Sequence, residues 1–99
     1  MSKFKETINS GKPVLVDFFA EWCGPCQTMT PVLQKLAGEM GDSVKIIKVD
    51  IDKNPGASKA FNVRGVPTFI IFKDGKPVWR ASGAQPKSEL EKALRAAGV

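Results

Sequence analysis

The sequence predicts an α/β fold in which a mixed four-stranded sheet carries helices on both faces, with elements in the order αβαβαββα. Runs of strand-forming residues alternate with segments of helical periodicity, a pattern typical of a sheet covered by helices. The last two strand-like runs flank Asp74-Gly75, which favours a two-residue hairpin and therefore an antiparallel pair. The length of 99 residues fits one domain over residues 1–99.

The first half of the chain is predicted to form a short helix, a strand and a long helix. Residues 4–8 have amphipathic helical spacing, and Val14–Phe19 is an almost unbroken apolar run, as expected for a strand covered on both faces. The long helix is expected to begin near Cys23 and to end at Gly41, since glycine commonly terminates helices. Its apolar positions recur at helical spacing and are Met29, Val32, Leu33, Leu36, Ala37 and Met40.

The second half is predicted to contain a strand, a helix, a hairpin and a last helix. Residues 44–49 and 68–72 are runs of strand formers, and residues 77–81 are expected to return antiparallel after the turn. Asn54-Pro55 is typical of an N-cap followed by a first-turn proline and predicts a short helix ending near residues 60–61. Pro86 is expected to open the last helix, whose apolar face contains Leu90, Ala93, Leu94 and Ala97.

The charge pattern does not favour a nucleic-acid partner. Fifteen lysines and arginines exceed ten acidic residues, giving a formal net charge of +5. The lysines form no run, which is typical of a solvated surface with a mild preference for acidic partners. The N-terminal residues have no apolar stretch behind their charges, and no run approaches the roughly 20 apolar residues that span a bilayer. We therefore expect no secretory signal and no membrane partner.

The cysteine content restricts the possible chemistry. Two cysteines and no histidine cannot build a four-ligand structural zinc site within one chain, so no metal site is expected. A secreted disulfide framework normally has more bridges. A redox pair, a single local clip or two inert thiols remain.

The position of Trp22-Cys23-Gly24-Pro25-Cys26 between a buried strand and a helix start favours the redox pair. Two intervening residues place both sulfurs on one side of a helix, close enough for a bridge. Unpaired amides and the dipole at the helix N-terminus stabilise the thiolate of Cys23, and Cys26, one turn in, is expected to be more buried. Disulfide exchange needs such an asymmetry, because an accessible thiolate attacks and a second thiol resolves the mixed disulfide.

Asp17 is a candidate proton acceptor. It lies within an apolar strand just before the cysteines, where poor solvation is expected to raise its pKa. A base near neutrality beneath Cys26 is able to take the proton of the resolving thiol. Lys48 likewise interrupts an apolar strand, and by itself it is typical of an edge-strand lysine.

A family resemblance covers the chain from about Phe4 to the C-terminus. It is carried by Asp17, Ala20-Glu21-Trp22-Cys23-Gly24-Pro25-Cys26, Gly65-Val66-Pro67-Thr68, Phe72-Lys73-Asp74-Gly75 and Gly83. In these motifs the chain resembles the thioredoxins. The resemblance implies a thioredoxin-like fold and a protein-disulfide reductase that uses a redox-active Cys23–Cys26 disulfide and holds no bound cofactor.

The resemblance also implies roles for residues outside the cysteine motif. Pro67 is expected to be cis and to lie against the cysteines, the backbone of Val66 to pair with an extended substrate chain, and Lys48 to pair with Asp17. The expected docking surface for protein substrates is apolar and shallow, and its residues are Trp22, Gly24, Pro25, Val66, Pro67, Gly83 and Ala84.

The direction of electron flow is predicted to be reductive. Gly24-Pro25 offers Cys23 no cation and no side-chain donor, so its thiolate is less stabilised and the dithiol gives up its electrons readily. In the family such a dithiol receives electrons from NADPH through a flavoprotein, thioredoxin reductase. The acceptors that the resemblance implies are ribonucleotide reductase, peroxiredoxins and methionine sulfoxide reductases, and the expected location is the cytoplasm.

The chain departs from the family at three points. The three residues before Phe4 are too few for the usual first strand, so the strand at 44–49 is expected to become an exposed edge in what is predicted to be a monomer. Phe19 and Gln27 stand where the family often has tryptophan and lysine. Three alternatives stay open: a disulfide oxidase or isomerase, a non-enzymatic binding module of the same fold, and a metal or cluster site shared across a dimer.

Overall fold

The computed structural model describes residues 2–98, and these contain four α-helices and four β-strands in the predicted order. The elements are α1 (Ser2–Ile8), β1 (Val14–Phe19), α2 (Gly24–Met40), β2 (Lys45–Asp50), α3 (Pro55–Ala60), β3 (Thr68–Lys73), β4 (Lys76–Ser82) and α4 (Lys87–Ala96), with a short 3-10 helix at Gly41–Ser43. Each predicted element is present, with boundaries shifted by at most two residues. Met1, one of the residues considered too few for an earlier strand, lies outside the described part.

The four strands form one mixed sheet in the order β2-β1-β3-β4. Strand β1 pairs in parallel with β2 and antiparallel with β3, and β3 pairs antiparallel with β4. The mixed sheet and the edge position of β2 confirm the predictions. The β3–β4 turn is formed by Asp74 and Gly75, whose φ angles of 52° and 81° are both positive. A hairpin turn of this kind requires positive φ at both central residues, which explains the dipeptide.

Helices cover both faces of the sheet and enclose two apolar layers. Alternate residues of a strand point to opposite faces, so β1 contributes to both layers. The layer beneath α2 and α4 contains Leu15, Met29, Leu33, Leu36, Met40, Val44, Phe69, Ile71, Leu90, Ala93 and Leu94. The layer beneath α1 and α3 contains Ile8, Val14, Val16, Phe18, Val49, Ala57, Ile70 and Phe72.

The helix ends agree with the sequence signals with two differences. Gly41 ends α2 with a φ of 56°, and its N–H donates to the carbonyl of Ala37. Asn54 precedes α3, but its side chain caps no helix N–H and instead donates to the carbonyl of Asp50 at 3.1 Å. Pro86 occupies the position before α4 and not its first turn. None of the helices in residues 2–98 has the length and apolar character needed to cross a membrane.

The parallel pairing of β1 with β2 positions the site. Parallel strands end at the same edge of a sheet, so Phe19 and Asp50, the last residues of these strands, are register partners. The N–H of Ile51 donates to the carbonyl of Phe19 at 2.9 Å and continues the pairing past the strand end. The loop before α2 and the loop after β2 therefore meet at this edge.

Candidate active site

Cys23 and Cys26 form a disulfide at the start of α2. Cys23 is the N-cap of the helix, and its Sγ accepts the backbone N–H of Cys26 at 3.1 Å. Their Cα atoms are 5.3 Å apart. Pro25 lies in the first turn, where a missing N–H leaves no hydrogen bond unmade. A sulfur at this position receives one of the unpaired N–H groups of the helix, the arrangement that stabilises a thiolate there.

The predicted difference in burial between the two cysteines is small. Cys23 is 4% exposed and Cys26 is 2% exposed, and both belong to a small apolar cluster with Ala20. Phe19 and Val66 pack against that cluster. Cys26 is the more buried cysteine, as predicted, but only by this small margin, and the accessibility expected for Cys23 is not seen in the disulfide form. The cysteines differ in position instead, because Cys23 precedes the helix and Cys26 lies within it.

The segment around Pro67 lies beside the disulfide. The Val66–Pro67 peptide bond is cis, as the resemblance implies, and Val66 contacts the cysteine cluster. The carbonyl of Pro67 accepts the N–H of Gly83 at 2.8 Å, which brings that glycine to the same surface. The N–H and C=O of Val66 make no backbone hydrogen bond with the described residues. Ala84 follows Gly83 in the chain and is exposed.

Trp22 is the exposed aromatic residue of the site. Its side chain is 70% exposed, and its indole N–H donates to Oδ2 of Asp52 at 2.9 Å. The loop that holds Asp52 is ordered by Asp50, whose Oδ1 accepts the N–H groups of Asp52 at 2.9 Å and Lys53 at 3.3 Å. The hydrogen bond to Asp52 thus fixes the orientation of the tryptophan that precedes Cys23.

The roles of Asp50 and Asp52 were missed in the sequence. Both follow a strand that was predicted, and parallel strands present their carboxyl ends at one edge. The pair Asp50-Ile51-Asp52 at the end of β2 was the available signal. Using it required knowing that β2 is the parallel neighbour of β1.

Asp17 is fully buried, as predicted. It is 0% exposed, and neither carboxylate oxygen has a hydrogen-bond partner among the described residues. Burial raises the pKa of Asp17 from 3.8 to about 6, and the positive charge of Lys48 opposes this rise to a smaller extent. Its register partners are Lys48 on β2 and Phe69 on β3. The carboxyl group is therefore half-ionised near pH 6 and mostly ionised at neutral pH.

Lys48 does not pair with Asp17 in the way that the resemblance implies. Among residues 2–98 Lys48 forms no ion pair, and its Nζ lies 4.5 Å from the centroid of the Phe19 ring. The direct pairing expected in the sequence is wrong for this structure. The lysine is exposed, and its charge acts on Asp17 only through space.

A cavity of about 250 Å³ opens next to Cys26 between α2 and the edge strand β2. Its lining residues are Phe19, Ala20, Glu21, Cys26, Gln27, Thr30 and Lys48. Gln27, a departure from the family, donates its amide N–H to the carbonyl of Glu21 at 3.1 Å and holds the loop before α2. The cavity therefore reaches Cys26 from the side of β2.

A helix that begins at a Cys-Gly-Pro-Cys disulfide, beside a cis-proline segment and directly after a strand that contains a buried carboxyl group, defines a thiol–disulfide oxidoreductase. The comparisons with known proteins agree. The family model described as Thioredoxin matches residues 1–96. The chain belongs to the thioredoxin family, and it is a protein-disulfide reductase with a redox-active disulfide.

Several curated relatives and solved structures are similar over nearly the whole chain. Thioredoxin from Alicyclobacillus acidocaldarius is 45% identical over 93 residues, covering 94% of this chain and 89% of the relative. Thioredoxin from Staphylococcus haemolyticus is 48% identical, covering 94% and 88%. A mutant thioredoxin from Halobacterium salinarum superposes with a TM-score of 0.91 at 33% identity, covering 100% of this chain and 86% of that one. Oxidized mitochondrial thioredoxin 3 from Saccharomyces cerevisiae has a TM-score of 0.87 at 35% identity, covering 96% and 88%.

Proposed function

We propose that this chain is a single-domain cytoplasmic reductant of protein disulfides, in which Cys23 attacks and Cys26 resolves. The observation that carries this assignment of roles is the N-cap position of Cys23, whose Sγ accepts the N–H of Cys26. In the reduced protein the same N–H and the helix dipole stabilise a thiolate at Cys23. Cys26 lies inside the helix and receives no such stabilisation.

The proposed cycle moves two electrons from the protein dithiol to the substrate disulfide. The Cys23 thiolate attacks one sulfur of the substrate disulfide, forming a mixed disulfide and releasing the first substrate thiolate, which takes a proton from water. Cys26 then gives its proton to the Asp17 carboxylate, and its thiolate attacks Sγ of Cys23. This step closes the Cys23–Cys26 disulfide and releases the second substrate thiolate. The protein is oxidised and the substrate is reduced.

Asp17 suits the role of proton acceptor because burial places its pKa at about 6. An ionised fraction is present at neutral pH, and a base of this strength accepts a proton more readily than an ordinary aspartate does. Neither of its oxygens is engaged by another described residue. No hydrogen bond from these residues therefore has to break before the carboxylate accepts the proton of Cys26.

Substrate binding is proposed to use the surface around the disulfide. The N–H and C=O of Val66, which pair with no backbone group in residues 2–98, are available to an extended chain that adds alongside. In this mode of binding, backbone hydrogen bonds give affinity with little sequence preference. The apolar surface around Val66 consists of Trp22, Gly24, Pro25, Gly83 and Ala84, whereas Pro67, which was predicted to belong to it, is buried. Such a surface fits unfolded or extended segments that carry a disulfide.

The proposed electron source is NADPH through a flavoprotein thioredoxin reductase, and the proposed acceptors are ribonucleotide reductase, peroxiredoxins and methionine sulfoxide reductases. One similar structure supports the peroxiredoxins as acceptors. This structure concerns the thiol resolving mechanism in yeast mitochondrial 1-Cys peroxiredoxin via glutathione/thioredoxin systems. It superposes on the present chain with a TM-score of 0.88 at 33% identity. An oxidase or isomerase is the alternative direction.

The reduction potential of the Cys23–Cys26 pair, measured in defined redox buffers, tests the direction. We expect a value near about −270 mV, as in thioredoxins that act as reductants. A value between about −180 and −120 mV would assign the oxidase or isomerase direction instead.

Trapping tests the roles of the two cysteines. With an oxidised protein substrate such as insulin, Cys26→Ser is expected to accumulate a mixed disulfide through Cys23, visible by mass spectrometry under non-reducing conditions. Cys23→Ser is the matched control and is expected to trap nothing. Trapping through Cys26 in the Cys23→Ser variant, with none in Cys26→Ser, would reverse the assignment.

A further inference from the structure

The side chains of Asp17, Phe19 and Lys48 lie on one face of the sheet, where the Lys48 ammonium could contact either of the other two. Asp17 and Phe19 are two residues apart on β1 and therefore share a face, and Lys48 on β2 is the register partner of Asp17. The lysine has two possible partners on this face, an aromatic ring and a buried carboxyl group that makes no hydrogen bond with residues 2–98. Its Nζ lies over the ring, 4.5 Å from the centroid.

We propose that Phe19 is a positioning residue that holds the Lys48 ammonium over its ring and so keeps Asp17 free of a direct ion pair. The inference rests on the proposed role of Asp17 as proton acceptor, and it explains why that acceptor stays unpaired although a cation lies on the neighbouring strand. An ammonium over the face of an aromatic ring is attracted by the negative face of the ring's quadrupole. It also keeps most of its hydration, which it would lose on moving to the buried carboxyl group.

The other groups near Asp17 leave Lys48 as the charge that decides its ionisation. On β2, Asp50 shares the face of Lys48, but its carboxylate accepts backbone N–H groups of the following loop. On the loop before α2, Glu21 is exposed and paired with a lysine. Strand β3 presents the apolar Phe69 opposite Asp17, and Cys26 on α2 lines the same cavity as Lys48.

The cavity beside Cys26 gives the lysine room to move. Phe19 and Lys48 both line its wall of about 250 Å³. Removal of the ring takes away the partner of the ammonium and widens this space. We therefore expect Lys48 to move toward Asp17 when Phe19 is replaced by an aliphatic residue. Because an opposite charge at close range favours the ionised carboxylate, the proton acceptor would then become weaker.

Titration of the Asp17 carboxyl carbon by NMR in the oxidised protein tests the inference. Phe19→Leu and Phe19→Met are expected to lower the pKa of Asp17 by about one pH unit, the lower end of what a neighbouring cation produces. Phe19→Trp retains a ring for the ammonium and is the matched control, expected to leave the pKa of Asp17 unchanged. Two aliphatic variants are used so that the failure of one to fold does not end the test.

The same substitutions in a Lys48→Met background distinguish an effect of the lysine on the pKa of Asp17 from an effect of entering water. Penetration of water into the space of the lost ring would also lower the pKa of Asp17, but it would do so with or without Lys48. We expect Phe19→Leu to have no effect on this pKa once Lys48 is replaced. An equal shift in both backgrounds, or no shift in the presence of Lys48, overturns the inference.

The rate of mixed-disulfide resolution against pH distinguishes this inference from the proposed role of Asp17. In Asp17→Asn the pH dependence due to ionisation of Asp17 is expected to disappear from that profile. In Phe19→Leu the midpoint of this pH dependence is expected to move to lower pH. A profile that is unchanged in Asp17→Asn refutes the proton-acceptor role. A profile that depends on Asp17 but is the same in Phe19→Leu and wild type refutes the positioning role alone.

Discussion

Replacement of Asp17 by asparagine should stabilise the folded protein at alkaline pH. Asp17 is completely buried and its carboxylate has no hydrogen-bond partner among the described residues, so ionisation in the folded state is unfavourable. The rise in its pKa from 3.8 to about 6 corresponds, at about 1.4 kcal/mol per pH unit, to about 3 kcal/mol. Asparagine has the same shape and cannot ionise. The amide of the variant and the protonated carboxyl group of the wild type would both be buried without a hydrogen-bond partner among the described residues. Their costs of burial are therefore similar and nearly cancel in the difference between the two free energies of unfolding.

The sign follows from the direction of the pKa shift. A carboxyl group whose pKa is raised on folding holds its proton more tightly in the folded chain than in the unfolded chain. Its stabilising contribution is complete below pH 3.8, is lost as the pH rises to about 6, and is absent above that value. The free energies of unfolding of Asp17→Asn and the wild type are therefore expected to be nearly equal on the acid side of this window. On the alkaline side the difference between them is expected to approach about 3 kcal/mol.

Urea unfolding of the oxidised proteins at about pH 3 and about pH 8, on either side of the window, measures this difference. Asp42→Asn, at an exposed position, is the matched control and is expected to show little change at either pH. If the free-energy difference between Asp17→Asn and wild type is the same at both pH values, burial does not disfavour the ionised Asp17 and the reasoning about its pKa is refuted.

Three further predictions concern packing, backbone conformation and the loop contact. Leu36→Ala, at a fully buried position, should destabilise the protein by roughly 2–5 kcal/mol in urea unfolding. Gly38→Ala, within α2 and with open space around the added methyl group, should stabilise by about 0.5–1 kcal/mol. Gly75→Ala, at a φ of 81°, should destabilise by about 1–2 kcal/mol, and equal effects at the two glycines would contradict the conformational argument. Trp22→Phe and Asp52→Ala should each cost about 1 kcal/mol of unfolding free energy, and a double variant that loses the full sum would show that the two side chains do not interact.

The sequence predicted the elements well because their signals are local. The apolar run Val14–Phe19 is the observed β1 without change, and Gly41 ends α2 as predicted. The dipeptide Asp74-Gly75 forms the expected turn because both residues adopt the positive φ that few other pairs tolerate. The element ends moved by one or two residues since hydrogen bonds at the caps, and not the apolar pattern, decide where a helix or strand stops.

Contacts between distant segments were less predictable. The expected ion pair between Asp17 and Lys48 is absent among the described residues because Phe19, two residues from Asp17, offers the lysine a partner that leaves it hydrated. The contact between Trp22 and Asp52 joins residues thirty positions apart, and no local pattern marks it. The accessibility expected for Cys23 also failed, because the apolar cluster around the disulfide includes Val66 from a remote loop.

The sequence by itself determined the order of the elements, the placement of two cysteines at a helix start and the burial of Asp17. Each of these depends on spacing along a single segment, where periodicity and turn-forming residues act. The tertiary structure decided which strand lies beside which, and with it the partner of Lys48, the loop contact of Trp22 and the surroundings of both sulfurs. These depend on the register between β1 and β2 and on loops that meet only after the sheet has formed.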